Sequence, residues 1–93
     1  MTKYELMFIL EKDLTEEKRE ATIVKFKDYV LKTGGNVVSV DKWGMKKLAY
    51  PINFKNEGFY VLMNLEMNGT EVDKMAKLMN ITDGVIRQMF VKK

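Results

Sequence analysis

The 93-residue sequence contains no cysteine and no histidine, and only one proline and one tryptophan. Without thiols or imidazoles there is no disulfide framework, thiolate nucleophile or imidazole base, and no zinc, haem, copper or iron–sulfur site of the usual kind. A strong charge excess is missing too, since 16 Lys+Arg against 13 Asp+Glu leave only +3. So mild a balance allows an anionic partner without dictating one. Long apolar runs are lacking: the longest, Leu6 to Leu10, is far short of the ~20 residues of a membrane helix. Met1-Thr2-Lys3-Tyr4 leads directly into strand-like sequence, without the layout of a signal peptide. The expectation is a soluble, cytoplasmic protein with no cofactor, no metal, no membrane and no small-molecule substrate.

Hydrophobic residues make up 46% of the chain, enough for one modest core in a single domain spanning residues 1–93. Lys3 to Glu11 alternates as a strand, with Tyr4, Leu6, Phe8 and Leu10 on one face and Met7 and Ile9 on the other. Thr15 suits a helix cap, with Glu16 and Glu17 in the favoured first turn. Ile23, Phe26 and Val30 then fall at helical spacing, and Gly34-Gly35 stops the helix. Asn36 to Tyr50 reads as a second strand interrupted at Gly44, a bulge or bend, with Pro51 ending it or marking an edge. A turn over Phe54 to Gly58 leads to a third strand, Phe59 to Met67. Thr70 and Asp73 have capping-box spacing, and Val72, Met75, Ala76 and Met79 form a helical stripe. Asp83-Gly84 turns into a last strand, Val85 to Val91.

The order β-α-β-β-α-β predicts an α+β, ferredoxin-like sandwich: a four-stranded antiparallel sheet with two helices on one face. The opposite face then carries Met7, Ile9, Tyr60 and Leu62, with at least one of Trp43, Met45 and Phe90. A solvated face should read polar at these positions, and this one does not. It is a contact surface for a partner, a site of self-association, or simple exposure in a small domain.

Lys42, Lys46, Lys47 and Lys55 cluster mid-chain, and Arg87, Lys92 and Lys93 crowd the end. Lys46-Lys47 between Trp43 and Tyr50 can be a phosphate contact beside aromatic rings or an ordinary solvated strand edge. Base stacking on the sheet, as in RNA-recognition motifs, is disfavoured. Glu57-Gly58-Phe59-Tyr60-Val61 has an acid where that motif has a base and tyrosine where it has a small residue. An acylphosphatase-like enzyme needs an arginine-bearing anion loop after the first strand, where Glu11-Lys12-Asp13-Leu14 offers neither glycine nor arginine. The same loop lacks the glycine of small-molecule-binding regulatory domains of this topology. The chain is expected not to be an enzyme.

Gly44, Lys46, Lys47, Leu48, Ala49, Tyr50, Ile52 and Asn53 fill every fixed position of a ten-residue signature. In this segment the chain resembles the bacterial small-subunit ribosomal protein S6 family. Tyr4-Glu5, Gly58 followed by aromatics, Glu66-Met67 and Arg87…Met89…Val91-Lys92 extend the resemblance along the whole chain, although Thr2-Lys3 stands where relatives often carry consecutive arginines. The resemblance implies a rRNA-binding protein of the small subunit that pairs with ribosomal protein S18 on the central domain of 16S rRNA. By position, it implies phosphate contacts at Lys3, Lys46, Lys47, Arg87, Lys92 and Lys93. It implies a protein-partner face made of Met7, Ile9, Trp43, Tyr60, Leu62 and Phe90, with Tyr50 and Pro51 shaping a strand end.

Overall fold

The computed structural model describes the backbone of residues 2–52 and 55–93, and the side chains of residues 2–47 and 57–93. The elements run β1 (Thr2–Glu11), α1 (Glu16–Lys32), β2 (Asn36–Ile52), β3 (Lys55–Met67), α2 (Gly69–Asn80) and β4 (Val85–Lys92). The strands form one sheet in the order β2-β3-β1-β4, and every pairing is antiparallel. This is the ferredoxin-like sandwich that the element order predicts.

Strand parity decides what is buried. The even residues Leu6, Phe8 and Leu10 of β1 and the odd residues Val61, Met63, Leu65 and Met67 of β3 turn toward the helices, where they are buried. Ile23, Phe26 and Val30 of α1 and Met75 and Met79 of α2 close over them. Phe8 and Phe26 meet edge to face, their centroids 5.4 Å apart. Thr15 caps α1 by accepting a hydrogen bond from the Lys18 N–H at 3.2 Å. At the margin of the core the Arg19 guanidinium lies over the Phe59 ring, 4.1 Å from its centroid.

Three local expectations are corrected. Phe90 does not belong to the open face. β4 slips by one residue between Ile9 and Leu10, which places Phe90 opposite Leu6, on the helix side. There it packs against the core and meets Tyr4 edge-on at 6.3 Å. Thr70 and Asp73 form no capping box, because α2 starts at Gly69 with Asn68 in the extended cap position and the Glu71 N–H already donating to the Asn68 carbonyl. The stretch Phe54 to Gly58 is not all turn. β2 reaches Ile52 and β3 begins at Lys55, with the two paired, so the hairpin outgrows the rest of the sheet. The side chains of Tyr50 and Pro51, expected to shape the strand end, lie outside the described residues, as do those of Leu48, Ala49, Ile52 and Asn53 in the signature.

At Gly58 the neighbouring strand leaves no room for a side chain. A methyl group there would lie 2.3 Å from Ile9 Cγ2 and 3.3 Å from the Leu10 carbonyl oxygen. Gly58→Val is therefore expected to force Ile9 out of place and cost about 1–3 kcal/mol, as overpacking does. Urea unfolding checks it, and a midpoint equal to wild type would contradict the close approach.

Candidate functional site

Residues paired across strands share a face, so the register reads out the uncovered side of the sheet row by row. Asn36, Glu66 and Lys3 form the first row, and Ser39, Asn64, Glu5 and Val91 the second. Asp41, Leu62, Met7 and Met89 follow, then Gly44, Tyr60, Ile9 and Arg87, and finally Lys46, Gly58 and Glu11. The face is graded, polar at the end holding Lys3 and apolar through the third and fourth rows.

The second row of the polar end is tied together by hydrogen bonds and an ion pair. Lys93 donates from Nζ to Asn64 Oδ1 at 2.7 Å and lies 3.3 Å from Glu5 Oε2, while Asn64 Nδ2 donates to Ser39 Oγ at 3.0 Å. The Lys93 backbone N–H also donates to the Lys3 carbonyl at 3.0 Å. The Lys93 ammonium is thus already held by a carboxylate, which weakens its value as a phosphate contact.

The apolar half offers a shallow depression of about 180 Å³ lined by Met7, Ile9, Tyr60, Arg87 and Met89. Met89 is 47% exposed and Trp43 44% exposed, whereas Ile9 is buried and Met7, Tyr60 and Leu62 are half-buried, so this surface is open chiefly at Met89 and Trp43. Met89 takes the place that sequence reasoning gave to Phe90. The signal was weak, since the last strand is apolar at both parities. Trp43 sits in a bulge, because the β2 register shifts between Lys42 and Gly44 and Gly44 adopts φ +85°. Lys42, on the near side of that bulge, points to the helix layer and pairs with Glu20 of α1. Lys46 reaches back over the Trp43 ring, its Nζ 5.3 Å from the centroid.

The basic residues do not form one patch. Lys46 follows the open-face parity, so Lys47 follows the other. Lys92 pairs with Tyr4 and shares the helix side, whereas Lys3 and Arg87 lie on the open side. The eight steps of β1 from the Lys3 row to the Lys46 row span roughly 26 Å at about 3.3 Å per residue. The lysines therefore form two poles, with the apolar half and Arg87 between them.

No group of histidine, cysteine, aspartate and glutamate able to hold a metal occurs among the described residues. Nor is any described helix long and apolar enough to cross a membrane. Fold and surface together define a ferredoxin-like scaffold that presents a face rather than a catalytic cleft. The family model for "Ribosomal protein S6" matches residues 3–92. Small ribosomal subunit protein bS6 of Clostridium novyi is 48% identical over 91 residues, covering 98% of this chain and 96% of that protein. Its counterpart from Caldanaerobacter subterraneus is 41% identical over 92 residues, covering 99% and 97%. The crystal structure of 30S ribosomal protein S6 from Thermotoga maritima superposes with a TM-score of 0.92 at 28% identity, covering 99% of this chain and 87% of that one. The chain belongs to the ribosomal protein S6 family. It is accordingly a structural, non-enzymatic constituent of the bacterial small ribosomal subunit, and its place is the cytoplasmic ribosome.

Proposed function

We propose that this chain binds the central domain of 16S rRNA together with ribosomal protein S18, each raising the affinity of the other. The observation that carries the reading is the graded open face: a partly uncovered apolar half, with Trp43 and Met89 nearly half exposed, set between two lysine-bearing ends. An apolar patch on an otherwise charged surface suits a protein contact. Lysines at its margins suit phosphate, whose neutralisation releases counterions and makes binding salt-dependent. In this reading Met7, Ile9, Trp43, Tyr60, Leu62 and Met89 meet the protein. Lys3, Lys46, Lys47, Arg87 and Lys92 meet RNA, with a smaller share for Lys93 because Glu5 already holds it.

A gel shift with a central-domain rRNA fragment, with and without S18, tests the proposal. Weak binding alone and much tighter binding with S18 are expected, and cooperative assembly is wrong for this protein if S18 adds no affinity. Replacing Lys46 and Lys47 together by Ala should flatten the plot of log affinity against log salt by about 1.5 units, because each neutralised phosphate contributes roughly 0.7–0.9 to that slope. Lys93→Ala should flatten it less than either single replacement. A slope unchanged in the double variant would remove this end of β2 from the RNA contact.

A further inference from the structure

We infer that Trp43 and Lys46 form one joint binding site at a corner of the open face. There an RNA phosphate takes the Lys46 ammonium, and an apolar side chain of the protein partner takes the indole face that Lys46 vacates. The inference rests on the preceding reading that RNA and a protein both meet this face, and it adds the point at which they act on each other.

Lys46 Nζ lies 5.3 Å from the Trp43 centroid, and Trp43 remains 44% exposed with Lys46 there. The bulge at Lys42/Gly44 delivers Trp43 to the margin of the row holding Tyr60 and Ile9. One residue of the lysine-bearing end therefore covers one residue of the apolar half. Lys42 is excluded from the same role by its pairing with Glu20 on the helix side. At the far pole, Lys93 is held by a carboxylate and an amide rather than by a ring.

An exposed ammonium–indole contact is weak, whereas an ammonium–phosphate hydrogen bond is charge-assisted and stronger. Phosphate therefore draws Lys46 off the ring. A partner side chain, in turn, cannot cover the indole while a hydrated ammonium occupies it. Whichever ligand arrives first breaks the Lys46–Trp43 contact, and the second no longer has to. The coupling is positive and reciprocal, and its size is set by that contact at about two- to fivefold.

The test is a thermodynamic cycle with the rRNA fragment and S18, measuring RNA affinity with and without the protein. The chains compared are wild type, Lys46→Thr, Trp43→Leu and the double variant. Either single change is expected to lower the coupling factor by about two- to fivefold, with no further decrease in the double. Lys46→Thr should also raise affinity for S18 in the absence of RNA by a similar factor, since the indole is then uncovered, and Lys46→Arg should restore wild-type coupling. Trp43 is the sole tryptophan, so adding RNA alone should change its emission in wild type and not in Lys46→Thr. Wild-type coupling that survives undiminished in Lys46→Thr overturns this inference alone. A wild type without any coupling overturns the proposed function, and this inference with it.

Discussion

Leu62→Asp is expected to weaken binding of the protein partner about a hundredfold, equivalent to ~2.7 kcal/mol. Leu62 lies in the third row of the open face, between Asp41 on β2 and Met7 on β1. A carboxylate placed there faces solvent in the free protein but would be covered, unpaired, in a complex. Asp41 directly across the ladder adds like-charge repulsion. In the free protein the change removes a half-buried apolar side chain and costs about 1 kcal/mol, a fall in melting temperature of roughly 4–8 °C for a domain this size. Calorimetric titration with S18 beside a thermal melt separates the two effects. Undiminished binding by a folded variant would show that the partner sits elsewhere.

Phe26→Ala should have the largest effect on folding. Phe26 is fully buried and joins α1 to the sheet through its edge-to-face contact with Phe8. Its truncation leaves a cavity under the helix and is expected to cost about 3–5 kcal/mol. Domains of this size are stabilised by only about 5–15 kcal/mol in total, so the variant gives up a large share of that stability. Urea titration should show a lowered midpoint with an unchanged slope. A destabilisation below about 1 kcal/mol would mean that the helix and sheet repack without this ring.

Both variants act through positions that local periodicity identifies, alternation for Leu62 on β3 and helical spacing for Phe26 on α1. Leu6, Phe8 and Leu10 against Met7 and Ile9, like Val61, Met63 and Leu65 against Tyr60 and Leu62, differ in face because the backbone is regular there. Local pattern therefore equals global placement. The pattern fails where the ladder slips. In β4 the residues Met89, Phe90 and Val91 are all apolar, so parity depends on the bulge at Ile86, a tertiary feature with no separate sequence signal. That single extra residue carries Phe90 into the core beside Tyr4 and turns Met89 outward. Around Trp43 the slip was foreshadowed by Gly44, yet which of Lys42, Lys46 and Lys47 would share the face with Tyr60 depended on counting the bulged residue. Charge pairing across the sheet was equally hidden, because Lys93 and Glu5 lie at opposite ends of the sequence and meet only when β4 pairs with β1.

The bulges of β2 also bear on what the sheet refuses to do. β2 is an edge strand, and an unbroken edge invites another extended chain to continue the ladder. Between its first two slips β2 offers only the four regular residues Ser39–Lys42. A strand laid along it would lose register almost at once, and farther on would meet the exposed Lys46 and Lys47. The opposite edge, β4, is short, slips at Ile86 and carries Arg87 and Lys92. Polymerisation through the backbone is thus discouraged at both borders. If the open face waits for a protein partner as proposed, these borders let it do so without seeding fibrils.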